Sequence, residues 1–221
     1  MSEARRETET GRTGMACDPG ELVGRLANLH ETDRVATRIL TAGPAAIPAL
    51  VRFLLGGPSL HPGPRRAAAE ILGILGGEEA REGLVEGLRL LDREIASPVV
   101  RLSEEAVSDA VADALTRFPP VLVVFPLRAA FRRHRLVGAA EALAAVGDEG
   151  ALEDVARALE DDFKRWRLFD VLRRFGTSAE IAVGCVLAEC DSLPDSVLTR
   201  KRQAACRRFL AEQRAPRDER P

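Results

Sequence analysis

At 221 residues and 23.9 kDa, the chain has room for one ordinary domain or two small ones with a sizeable core. Its 46% hydrophobic and 30% charged residues exclude a mostly disordered chain, and no apolar run reaches the roughly 20 residues of a membrane-spanning helix. A formal net charge of −2 argues against a strongly basic nucleic-acid binder, and the dominance of Ala, Leu, Arg and Glu over aromatics favours helix over an all-β fold.

In chain order, residues 1–17 are charged and rich in Thr, Gly and Arg, and read as a disordered leader without the apolar core of a secretory signal. Asp18-Pro19-Gly20-Glu21 marks a helix start, with an acid at the N-cap, Pro in the first turn and Glu at N3. From there one eight-residue pattern recurs: Ala69–Gly76, Ala112–Pro119, Ala140–Gly147 and Phe169–Gly176. Each copy has an acid in second place (Glu70, Asp113, Glu141, Asp170), Leu in fourth, a bulky apolar residue in seventh and a helix breaker in eighth. An imperfect first copy ends at Gly43, so the breakers fall at 43, 76, 119, 147 and 176. The period is near 30, with one longer interval absorbed by extra sequence around 92–102. A second apolar helix is predicted after each breaker, at 45–55, 83–91, 121–131, 152–159 and 181–188. Thr177-Ser178-Ala179-Glu180 reads as a capping box at the last of these. Residues 193–213 read as a terminal capping helix and 214–221 as a disordered tail. The expectation for 18–213 is therefore all-α: a right-handed α-solenoid of about five to six antiparallel helix pairs, in which neighbouring pairs bury each other's apolar faces.

Arg65-Arg66-Ala67-Ala68-Ala69-Glu70-Ile71-Leu72-Gly73-Ile74-Leu75-Gly76 resembles a HEAT repeat, in the short form named after phycobilisome lyases, and the segment from Ala139 through Gly147 to Glu153 resembles it more closely still. The resemblance covers about 20–210 and implies antiparallel helices, A then B, with the B helices on the concave side. The recurring segment is the B helix. Members of the family range from scaffolds to lyase subunits to a DNA-repair branch, so fold alone does not supply an activity.

Two A-to-B connections are long, 56–63 and 92–102, and should lie side by side on one edge. Basic residues gather near the same turns: Arg34, Arg65, Arg66, Arg132, Arg133, Arg135, Lys164, Arg165 and Arg167, with Ser108 and Asp109 interrupting the series. A guanidinium offers a planar fork suited to carboxylates or phosphates. Arg65, Arg66, Arg132, Arg133, Arg135, Arg165 and Arg167, with the single Trp166, are thus the candidate partner-binding residues. The expectation is a non-catalytic cytoplasmic scaffold that holds an acidic segment of a protein partner on an Arg-lined rim. A nucleic-acid partner is the lesser alternative, and no membrane partner is implied.

Little points to other chemistry. His30, His61 and His134 lie in different units without metal-ligand spacing, and no zinc, nucleotide or hydrolase motif occurs, so neither metal nor cofactor is expected. Cys185 and Cys190 read as buried reduced thiols. The enzyme alternative is a resemblance: Trp166 and Asp170, four apart on a B helix, are similar to the Trp and catalytic Asp of HEAT-like alkylpurine DNA glycosylases. It implies a carboxylate that stabilises charge on the sugar and an aromatic that contacts the lesion. Asp170, however, occupies the acid place that every copy of the repeat fills.

Overall fold

A computed structural model describes residues 18–28, 32–57 and 59–214. The leader 1–17 and His30 lie outside them. The described residues form twelve α-helices, several short 3-10 turns and no strand, so the fold is all-α. In order they are α1 (Pro19–Gly24), α2 (Thr32–Ala42), α3 (Ile47–Leu54), α4 (Gly63–Leu75), α5 (Glu78–Gly87) and α6 (Pro98–Leu115). They continue with α7 (Pro120–His134), α8 (Val137–Ala145), α9 (Leu152–Arg157), α10 (Arg165–Arg173), α11 (Thr177–Ser192) and α12 (Val197–Arg214). Among them no helix is long and apolar enough to cross a membrane.

The repeat pattern lies on the even-numbered helices and acts as a burial code. First, third and fourth places are buried in all four copies, for example Ala69, Ile71 and Leu72 on α4 and Ala140, Ala142 and Leu143 on α8. The acids in second place stay on the outside: Glu70, Asp113 and Asp170 are exposed and Glu141 half-buried. The fourth-place leucines Leu72, Leu115, Leu143 and Leu172 are shut off from solvent, and burying each contributes on the order of 2 kcal/mol. The glycine breakers Gly43, Gly76, Gly147 and Gly176 all take positive φ, which a residue with a Cβ adopts only with strain.

Each odd-numbered helix packs on the even-numbered one that follows it. The even-numbered helices also pack on one another in series, α2 on α4, α4 on α6, α6 on α8 and α8 on α10. Small residues permit this closeness. A Cβ on Gly138 of α8 would lie 2.5 Å from Asp109 Oδ1 and 2.7 Å from Asp109 Cα on α6, so only glycine fits there. The odd-numbered series is less regular. α1 packs on α3, α3 on α5 and α9 on α11, but α7 is held chiefly by α8.

Three sequence expectations change. Asp18 and Pro19 do open α1, but the Asp18 side chain makes no capping hydrogen bond. The capping box at Thr177 does not form: Gly176 holds the N-cap position, and the Ser178 hydroxyl bonds instead to Glu149 Oε1 at 3.1 Å. Cys185 is exposed rather than buried, because a five-residue step on α11 turns it away from buried Cys190. Burial pushes the Cys206 thiol of α12 up to about 12.

The long connections meet as expected. Arg93 donates to the carbonyls of Leu55 and Gly56 at 2.8 and 2.7 Å, and Ser59 N–H donates to Glu104 Oε1 at 3.2 Å. The second connection is shorter than the sequence suggests, because α6 already begins at Pro98 with Ser97 as its N-cap. At the far end α12 packs on α11 and on the turn Ala158–Glu160, with Ala205, Cys206 and Phe209 buried.

Candidate functional site

The arginines that the sequence aligns along one rim do not form one row. Arg65 is a correction: it is 5% exposed and reaches from α4 to α6, where it pairs with Glu104, itself 0% exposed. Its Nε donates to Leu54 O at 2.8 Å, so the guanidinium is held inside the protein. Its neighbour Arg66, one residue further round the helix, is exposed. The pair at the end of α7 diverges. Arg132 turns toward α9 and meets Asp154 at 2.6 Å, whereas Arg133 turns toward α5 and meets Asp92 at 2.7 Å. Arg135 sits in the left-handed region as the C-cap of α7, half-buried, with its guanidinium 5.9 Å from the Phe131 ring and bonded to Asp154 O.

At the start of α10 the same principle operates. Asp161 Oδ1 accepts from the backbone N–H groups of Phe163 and Lys164, a turn that begins the helix and holds Phe163 outward. Lys164 donates to Arg135 O and lies 3.8 Å from Glu105. Arg165 donates to Leu159 O at 2.8 Å and pairs with Asp162. Arg167 forks onto Glu141 of α8 at 2.8 and 2.6 Å and reaches Asp109 of α6 at 3.2 Å. The Glu141 hydrogen bonds, set against partial burial and aided by the Asp109 charge, hold its pKa above the usual arginine value. Asp109 in turn accepts from Gly138 N–H at 2.8 Å. These cations are therefore fasteners between helices first, and little of their charge is left over for a partner.

Two aromatic side chains also stand open to solvent at this edge. Phe163 is 91% and Trp166 66% exposed, and both border a cavity of about 260 Å³ with Leu136, Val137 and the Arg167 network. A second cavity, about 390 Å³, lies on the other side of Trp166 between α10 and α12. Phe163 is absent from the sequence-derived set. The signal was its place beside the only Trp at a helix start, but its exposure follows from the Asp161 turn, which spacing does not reveal.

Trp166 and Asp170 do border the same second cavity. Asp170 accepts from Arg173 Nη1 at 2.7 Å and is exposed, as are Glu70 and Asp113 at the same place of the repeat. That common position accounts for the carboxylate without a reaction.

Residues 64–89, from the start of α4 to just past α5, match the family model of the PBS lyase HEAT-like repeat. No curated protein and no solved structure matches the chain. The matched stretch contains one full copy of the pattern that α6, α8 and α10 repeat, which supports a HEAT-like repeat protein.

Proposed function

We propose that the protein is a non-catalytic scaffold: a right-handed α-solenoid of helix pairs that holds a segment of a protein partner along the edge where its even-numbered, concave-side helices begin. The observation that carries this reading is the exposed pair Phe163 and Trp166 at the start of α10, bordered by polar side chains already bonded to one another. A large aromatic side chain left in water at a rigid helix start is the kind of anchor that dominates protein interfaces. The polar network around it needs no partner to be satisfied, so it supplies rigidity at no cost in desolvated, unpaired charge on binding. An acidic stretch of the partner is met by Arg66 and Arg132, two exposed members of the arginine set. Their contribution is steering more than affinity, since Arg132 already has a carboxylate partner.

Trp166 is the only Trp and the chain has no Tyr, so intrinsic emission excited in the indole band reports this surface alone. Partners recovered from native lysate by the wild-type protein should blue-shift that emission on rebinding. Trp166→Ala with Phe163→Ala should lose most of the recovered partner, whereas Arg66→Glu and Arg132→Glu together should chiefly reduce its salt dependence. Equal recovery by the aromatic double variant and the wild type would sink the proposal.

A further inference from the structure

The outward side of α7 carries an apolar patch that stays open to solvent. Its first turns, Pro120-Val121-Leu122-Val123-Val124-Phe125-Pro126-Leu127, are apolar on every side, a composition that belongs to a helix covered all round. Only one side is covered: Val123, Leu127, Ala130 and Phe131 are buried, with α8 packed against the helix. Val121, Leu122 and Phe125 are exposed, Phe125 by 81%. On the α9 side the gap is bridged by charge, through Arg128 with Asp148 and Arg132 with Asp154. On the α5 side it is an open apolar groove of about 390 Å³, floored by Val85, Leu88, Leu122, Phe125 and Ala129. Arg81, Arg89 and Arg133 stand along it, and Asp92 is its one lining carboxylate. The other carboxylates nearby, Glu78, Glu82 and Glu86, lie beside Arg81 and Arg89 on α5, outside the groove lining.

We infer that the groove between α5 and α7 docks an amphipathic helix of a protein partner, with its apolar stripe on Leu122 and Phe125 and carboxylates flanking that stripe on Arg81, Arg89 and Arg133. A helix is the fitting shape because α3 packs directly on α5 and α9 on α11, whereas α5 and α7 stand apart. A helix laid over that gap gives α7 the neighbour its sequence is written for. Acidic flanks are the fitting charge because the lining carries three arginines against one aspartate. The pairs of Arg89 with Glu86 and Arg133 with Asp92 involve arginines about two-thirds exposed, and pairs of that kind hold their partners weakly. Those guanidinium groups are free to turn to carboxylates arriving with a partner. This groove shares no lining residue with the cavities beside Phe163 and Trp166.

The test is a selection of displayed random peptides of about three to four helical turns on the full chain, with Phe125→Glu as the counter-target. Enriched peptides should show apolar residues at i, i+3 or i+4, and i+7, with Asp or Glu beside them. Synthesised with a fluorophore, they should bind the wild type roughly tenfold or more tightly than Phe125→Glu. Arg89→Glu with Arg133→Glu should weaken binding and flatten its salt dependence, and Trp166→Ala should leave it unchanged. Phe125 is exposed enough that its substitution keeps the fold, which unchanged thermal unfolding of Phe125→Glu would verify. The inference fails if no peptide is enriched, if enriched peptides are basic, or if they bind Phe125→Glu equally. Sedimentation supplies the last arm: a wild-type dimer that Phe125→Glu converts to monomer would overturn the partner helix in favour of a second copy of this chain.

Discussion

Arg65 on α4 and Arg167 on α10 do the same job in opposite surroundings. Arg65 reaches forward to Glu104 on α6, and Arg167 reaches back to Glu141 on α8 and Asp109 on α6. Each ties neighbouring even-numbered helices together. The first pair is sealed from solvent, and Arg65 Nη2, Glu104 Oε2 and the hydroxyls of Ser103 and Ser108 are buried with no hydrogen-bond partner among the described residues. The second is about a third exposed on either side, and each nitrogen of its guanidinium donates one hydrogen bond. The difference teaches that the same residue type near a helix start says nothing of whether it serves the core or the surface. Energetically, a sealed pair gains little net stability from its own attraction but makes either lone partner costly, whereas a solvated network is modest in both respects.

The largest expected effect follows from that asymmetry. Glu104→Ala leaves the Arg65 charge buried without its counter-ion and should cost about 3–5 kcal/mol, read as a lower urea midpoint at unchanged slope. Arg65→Met combined with Glu104→Leu should recover most of the loss, because neither charge is then taken out of water. A cost under about 1 kcal/mol for Glu104→Ala would show that water reaches the pair in solution, and the contrast with Arg167 would collapse.

Arg167 gives the middle case. Arg167→Ala removes the fork on Glu141 and the bond to Asp109, but both carboxylates regain solvent, so the cost should be about 1 kcal/mol and should shrink as salt is raised. A double-mutant cycle with Glu141→Gln isolates the pair, and coupling as large as that expected at Glu104 would break the comparison.

The fold was legible because its signals are local. Positive φ at Gly43, Gly76, Gly147 and Gly176, and burial at the first, third and fourth places of each copy, are dictated by residues a few positions apart. The site was less legible because its geometry is not local. Whether Arg65 faces solvent is decided by Glu104, 39 positions away, and Arg167 by Asp109, 58 positions away. A long flexible side chain spends its charge wherever an opposite charge is delivered by packing, and spacing along one helix does not show where that is. The open groove beside α7 was hidden differently: its apolar run was visible, but that α5 stands too far off to cover it is a property of the packed layer alone. The capping box at Thr177 failed for a nearer reason, since Gly176 takes the N-cap position one residue earlier.

The smallest effect belongs to a third fastener, at the end of the chain. Glu212 of α12 accepts from Arg208 at 2.8 Å on its own helix and from Arg173 of α10 at 2.8 Å. Partial burial raises the pKa of its carboxyl, but the hydrogen bonds and charges of the two guanidinium groups outweigh that and hold it below the ordinary glutamate value. A carboxyl whose pKa is lower folded than unfolded contributes stability that is complete above the unfolded pKa of about 4.3 and disappears as pH falls through the folded value. The wild type should therefore exceed Glu212→Gln by a few tenths to about 1 kcal/mol near neutral pH, and the gap should close as the pH drops below about 4. Urea midpoints of the two proteins across that range measure it. A gap that persists in acid would assign the role of Glu212 to packing between α10 and α12 rather than to charge. It would then separate this fastener from Arg167, whose contribution should respond to salt.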